Sequence, residues 1–165
     1  MAGDVRTADL HLLLRVQGRL RAPVAVGAAH ALGVAGDHAG AWIAAGAAGA
    51  VLDAPRRFRW LRATGVVVVA HAASVALKQA ARRARPVHAD LHVHRGRGGR
   101  WGMPSSHTAS ATAAAIVFGR LLQTRSTMVL PPAMALSRLV LGVHYPSDVV
   151  AGCAVGAIAA LGLRR

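Results

Sequence analysis

The feature that most constrains this chain is a succession of apolar segments broken by arginine clusters. Residues 39–54, 63–81, 105–123, 127–143 and 147–163 are apolar, with basic or Gly-rich polar stretches between them. Segments of this length read as helices, several of them shorter than the roughly 20 residues that cross a bilayer core. At 165 residues the chain is expected to form one domain. It is 54% hydrophobic, yet carries 20 Lys+Arg against 6 Asp+Glu, a net charge of +14. Apolar and strongly basic together, it suits a small membrane protein whose arginines sit at lipid headgroups or in an anion site. A nucleic-acid binder of equal charge would show a basic stripe interleaved with stacking aromatics. Here the cations form short clusters and aromatics make up only 4%, so no nucleic-acid partner is expected.

Along the chain, residues 8–21 mix Leu and Arg at helical spacing and predict an amphipathic helix at the interface. Residues 23–35 are apolar but short, and Asp37 and His38 interrupt them. The first twenty residues contain Asp4 and Asp9 and a stretch broken by Arg15 and Arg19, a pattern unlike a cleavable signal peptide. Pro55 closes the first spanning segment and Pro86 the second, because a residue before proline avoids α geometry. Pro131 and Pro132 are expected to kink the fourth early. Residues 87–103 form a long polar loop, usually functional at such length. His88, Asp90, His92, His94 and Arg97 are read as residues that cover a site and touch its substrate. Arg82 and Arg83 are read as headgroup anchors, His71 as a packing residue and Cys153 as a small buried hydrophobe. Gly152 and Gly156 make a GxxxG pair that lets helices approach closely, and an oligomer through that face is possible.

Ionisable residues at the ends of apolar helices need an explanation. Three groups stand out: Lys78 with Arg85 and Pro86; Pro104-Ser105-Ser106-His107; and Ser137-Arg138 followed by His144 and Asp148. If the helices from residue 39 onward alternate in direction, all three groups meet at one membrane face. Lys78, Arg85 and Arg138 would repel one another there, and a phosphate dianion relieves that repulsion. Ser105 is placed to cap a helix whose first N–H groups, that of Ser106 among them, face an anion. A histidine attacks phosphorus when a carboxylate holds its other ring nitrogen, and Asp148 lies four residues after His144.

The stretches KQAARRARP (78–86), PSSH (104–107) and SRLVLGVHYPSD (137–148) resemble the three-part signature of the PAP2 (type-2 phosphatidic acid phosphatase) superfamily. The resemblance implies an all-α, polytopic membrane helix bundle of the PAP2 type, here with an amphipathic N-terminal helix. Residues 1–36 would form the N-terminal helices and 39–163 the catalytic bundle. It implies a nucleophile at His144, oriented by Asp148, and a leaving-group acid at His107. Lys78, Arg85, Ser105, Ser106 and Arg138 would bind phosphate. Ser106 stands where the family usually has glycine. No metal and no cofactor are implied.

The early segment AGDHAGAWIAAGAAGAV and the close LVLGVHYPSDVVAG resemble a narrower group, the actinobacterial decaprenylphosphoryl-5-phosphoribose phosphatases. That resemblance implies a polyprenyl-linked substrate in the inner membrane, on the route to cell-wall arabinan. A polyprenyl diphosphate, phosphatidic acid or phosphatidylglycerophosphate phosphatase stays open beside it, as does a silent lipid-binding scaffold. Arginines fall on both predicted faces, so the charge pattern leaves sidedness open.

Overall fold

The computed structural model describes residues 2–94 and 99–162, with side chains from Arg6 onward, so that the expectation for Arg97 lies outside the described residues. Among the described residues seven α-helices follow in order: α1 (Ala2–Arg19), α2 (Pro23–Gly36), α3 (Gly40–Leu52), α4 (Arg57–Ala81), α5 (Ser106–Leu121), α6 (Leu130–Val140) and α7 (Pro146–Gly162). Among the described residues the only β feature is a single bridge between Ala84 and Trp101.

The helix ends follow from local chemistry. Pro23 and Pro146 open α2 and α7, where a missing N–H costs nothing. Pro131 and Pro132 stand in the first turn of α6, after a 3-10 turn at Ser126–Val129. The expected early kink is therefore a helix start, since proline's fixed φ suits a first turn. α4 ends at Arg82, whose φ of 44° is left-handed and turns the chain back across the helix ends.

α5 lies at the centre, packed against α4, α6 and α7, while α3 lies on α4 and α2 on α6. Its small residues, from Thr108 to Ala115, are all buried. Small side chains let neighbouring helices come close, so packing replaces bulk as the adhesive. Gly152 and Gly156 show this directly. A Cβ on Gly152 would strike Thr108 and the Ser105 carbonyl, and one on Gly156 would strike the Ala109 carbonyl. The GxxxG face is thus spent inside the chain, on α5. It is not available for the oligomer the sequence suggested.

Trp42, Trp60, Val66, Val67 and Phe118 share one buried core, and near the C-terminal end of α5 the Trp60 and Phe118 ring centroids are 5.4 Å apart. There Arg56 donates to the Leu121 carbonyl (2.8 Å) and Arg120 to the Ala160 carbonyl (3.0 Å), capping two helix C-termini. α4 with its preceding turn, Ala54–Ala81, is the one described helix long and apolar enough to cross a membrane, at a mean hydropathy of 1.5. Pro146–Gly162 is apolar but shorter. Val68, Val69, Leu77, Val150, Ile158 and Leu161 are exposed on the outside of the bundle.

Candidate active site

The residues singled out from the sequence converge at one end of the bundle. Lys78, from the last turn of α4, donates Nζ to the carbonyls of Gly102 (3.0 Å) and Pro104. Arg85, just past the left-handed turn, donates Nε to the Gly99 carbonyl (2.9 Å) and Nη1 to the Val143 carbonyl (2.7 Å). The same Nη1 lies 3.2 Å from His144 Nε2. Guanidinium only donates, so a neutral His144 presents the Nε2 lone pair to Arg85 and keeps its proton on Nδ1. Nδ1 in turn faces Asp148 Oδ2 at 3.5 Å. That is longer than a good hydrogen bond, as is common in an unliganded site.

The turn Tyr145-Pro146 makes the i, i+4 contact possible. Asp148 sits in the first turn of α7 and accepts the Tyr145 N–H (2.9 Å) through Oδ2. His144 and Asp148 are 2% and 0% exposed. Burial, reinforced by the cations of Arg85 and Lys78 against the pull of Asp148, drives the His144 imidazole down to about 3 from its ordinary value. The free site therefore holds a neutral histidine.

Ser105 stands at the N-cap of α5 but makes no capping bond. Its N–H goes to the Asp148 carbonyl (2.9 Å), and its buried Oγ has no hydrogen-bond partner among the described residues. Ser106 and His107 open α5 and line a cavity of about 520 Å³ together with Lys78 and Arg85. Arg138 is buried on α6 and donates to Ser137 Oγ (2.8 Å). Close approach needs glycine once here: a Cβ on Gly102 would come within 2.8 Å of Asp148 Oδ2.

Three participants escaped the sequence reading. Arg83 is no headgroup anchor: it is 12% exposed and joins Asp148 Oδ1 (3.0 Å) to Asp9 Oδ2 (2.6 Å), with its guanidinium 4.4 Å from the Tyr145 ring centroid. A buried carboxylate demands such a cation, and Asp148 has it. Asp9 also accepts the Ser147 N–H (3.0 Å) and hydroxyl. Burial alone would raise its pKa, but the bonds from Arg83 and Ser147 outweigh it and hold the carboxyl below its usual value. The buried face of α1, Asp9-Leu13-Gln17, therefore docks on the catalytic end as well as presenting exposed residues outward. Gln17 accepts the His92 N–H (3.2 Å) and donates to the His92 (2.7 Å) and Val140 (2.9 Å) carbonyls.

The third is Asp37, whose Oδ1 lies 3.0 Å from His107 Nε2. It sits in the α2–α3 turn, where His38 and Ala39 take left-handed φ of 51° and 61°. Non-glycine residues rarely adopt this conformation, and it clusters at functional sites. The long loop closes the cavity with Gly99, Arg100 and Trp101, not with His88, Asp90, His92 and His94 as expected. His94 instead donates its N–H to Leu141 (3.2 Å), on the α1–α6 side. His71 is more than a packing residue, since it lines the cavity.

A site of this kind, with cations from α4, from the segment that follows it and from α6, and a histidine whose Nε2 faces one of them, Arg85, is built for phosphoryl transfer. The PAP2 superfamily model matches residues 59–165, and the chain belongs to that superfamily of phosphatases. Its similarity to particular members runs over most of its length. It is 43% identical over 150 residues, 90% of this chain and 83% of the relative, to a decaprenylphosphoryl-5-phosphoribose phosphatase of Mycolicibacterium smegmatis. It is 39% identical over 158 residues, 95% of this chain and 89% of the relative, to the protein of that name from Mycobacterium tuberculosis. Among solved structures, the PAP2-type phosphatidylglycerolphosphate phosphatase of Bacillus subtilis shares the fold at a TM-score of 0.78. That alignment covers 96% of this chain and 83% of the other at 19% identity.

Proposed function

We propose that this chain is a single-domain, polytopic membrane phosphatase that removes the 5-phosphate from decaprenylphosphoryl-5-phosphoribose. The observation that carries the chemistry is the setting of the His144 ring, with Nε2 3.2 Å from Arg85 Nη1 and Nδ1 3.5 Å from Asp148 Oδ2. The substrate rests on the relatives' names. The membrane setting rests on α4 and on the exposed apolar residues around the bundle.

The substrate phosphate enters among Lys78, Arg85, Arg138 and the N-terminus of α5, with Ser105 and Ser106 contributing polar groups. Arg85 exchanges its contact with His144 for a phosphate oxygen. His144 Nε2 attacks phosphorus in line, the bond to the ribose oxygen breaks, and His107 gives that oxygen its proton. Asp148 stabilises the positive charge that spreads over the His144 ring. Water then attacks the phosphohistidine, His107 takes its proton, and the N–P bond breaks to release phosphate. Asp37 is a positioning residue for His107, favouring the protonated ring that a leaving-group acid requires. Fixed side-chain cations supply the charge neutralisation in this scheme, so activity is expected to survive EDTA.

The test is kcat/KM for decaprenylphosphoryl-5-phosphoribose, undecaprenyl diphosphate and phosphatidic acid in one detergent. A polar contact made only by the pentose substrate gives about tenfold to a hundredfold preference. Equal or faster turnover of phosphatidic acid removes the pentose reading and leaves the phosphatase.

A further inference from the structure

In-line displacement fixes where the rest of the substrate lies. The leaving oxygen must depart on the side of phosphorus opposite His144. With His107 as the acid, that side is the one His107 serves, and His107 lines the cavity. Beyond Lys78, Arg85, Ser106 and His107, its wall consists of Asp37, His38, His71, Val75, Gln79, Gly99, Arg100 and Trp101. None of these except Asp37 has a part in the phosphoryl chemistry.

The composition of that wall is unusual for a lipid-facing surface. His71 projects from the middle of α4, the helix best suited to cross a membrane, where a polar side chain needs a reason. Its Nδ1 is buried and has no hydrogen-bond partner among the described residues. The His38 ring, presented by the left-handed turn, lies with its centroid 6.2 Å from that of His71. Two imidazoles, a carboxylate and an amide offer donors and acceptors in a cluster, beside one indole. Acyl chains would leave His71 Nδ1 unpaired, at a cost, whereas a hydroxyl-rich ring satisfies it, beside an indole that Arg100 covers on one face at 4.7 Å.

We propose that His38, His71, Gln79 and Trp101 form a subsite for a polyhydroxylated leaving group, a sugar ring carrying the scissile phosphate. The proposal rests on the placement of His144 and His107 as nucleophile and acid, and it deepens the reading of the substrate as a pentose phosphate. It does not depend on the lipid carrier.

The experiment uses soluble probes and full-length protein in detergent. We compare kcat/KM for ribose 5-phosphate and n-pentyl phosphate, which share a primary phosphate monoester but differ in hydroxyls. The wild-type protein should favour ribose 5-phosphate by about tenfold or more, the worth of one or two hydrogen bonds. In His71→Phe and Gln79→Leu this ratio should fall toward one. In Lys78→Met both rates should fall together and the ratio should hold. A wild-type ratio near one overturns the subsite, whether or not any variant folds. So does a ratio unchanged in both wall variants. If the ratio is high but decaprenylphosphoryl-5-phosphoribose is no better a substrate than phosphatidic acid, the subsite stands and the lipid assignment falls.

Discussion

The two histidine–aspartate pairs of this site are built on opposite principles. His144 and Asp148 are four residues apart, 2% and 0% exposed, and locked in place by a turn, a helix start and Arg83. His107 and Asp37 are 70 residues apart, 17% and 36% exposed, and meet only because a strained turn between α2 and α3 leans on α5. The first pair is sealed, as the nucleophile role proposed for His144 requires of a ring that stays neutral until phosphate arrives. The second opens on the cavity, as the role of acid proposed for His107 requires. A nucleophile can be prepared by local chain geometry, whereas an acid must be brought to the substrate by the fold.

If that contrast holds, the open pair should show leaving-group dependence. His107→Gln is expected to lower kcat/KM about 10³-fold on an alkyl phosphate, yet less than about tenfold on p-nitrophenyl phosphate, whose leaving group needs little protonation. Equal losses on both would deny His107 the role of acid.

The sealed pair should instead show itself in stability. Arg83→Met leaves Asp148 buried without its cation, and breaking such a pair costs about 3–5 kcal/mol. Thermal unfolding in detergent reads this loss, with activity falling alongside it. A melting temperature within a degree of wild type would mean that Arg83 is not what holds Asp148.

Asp37→Asn should be milder: about tenfold in kcat/KM for alkyl phosphates and nearly nothing for p-nitrophenyl phosphate. Its pair is partly exposed, so stability should change by less than about 1 kcal/mol. A loss independent of leaving group would assign Asp37 to structure alone.

The smallest signal is in pH. With the His144 pKa held near 3, the unfolded chain binds a proton below about pH 6.5 that the folded one refuses. This contribution therefore destabilises the fold as pH falls from 6.5 toward 3. Histidine ¹⁵N spectra, assigned with His144→Gln, should show a neutral His144 ring at pH 5. Titration near 6.5 would mean that the ring is not sealed.

What the sequence disclosed follows the same division. Lys78 and Arg85, Ser105 and His107, and Arg138, His144 and Asp148 sit within short segments at helix ends, so helix alternation alone brings them together. Asp37, Asp9, Arg83 and Gln17 were not legible as site residues, because their partners lie 65 to 138 positions away. The signal for Asp37 was present, a carboxylate breaking an apolar run, but its partner was not. Arg83 looked like its neighbour Arg82, and the left-handed backbone of Arg82 itself leaves that side chain outward while Arg83 turns in. The glycine pair misled in another way. Its spacing announces close helix contact but not whether the contact lies within the chain.

The central claim is that His144 Nε2 becomes bonded to phosphorus, and the direct measurement is to trap that bond. Acid-quenched turnover fails for a phosphohistidine, so the sample should be denatured in alkali within milliseconds of mixing with ³²P-labelled substrate, then digested and mapped. The account predicts an alkali-stable, acid-labile label on the peptide containing His144, absent from His144→Gln. Label on any other residue, or its persistence in His144→Gln, would contradict it.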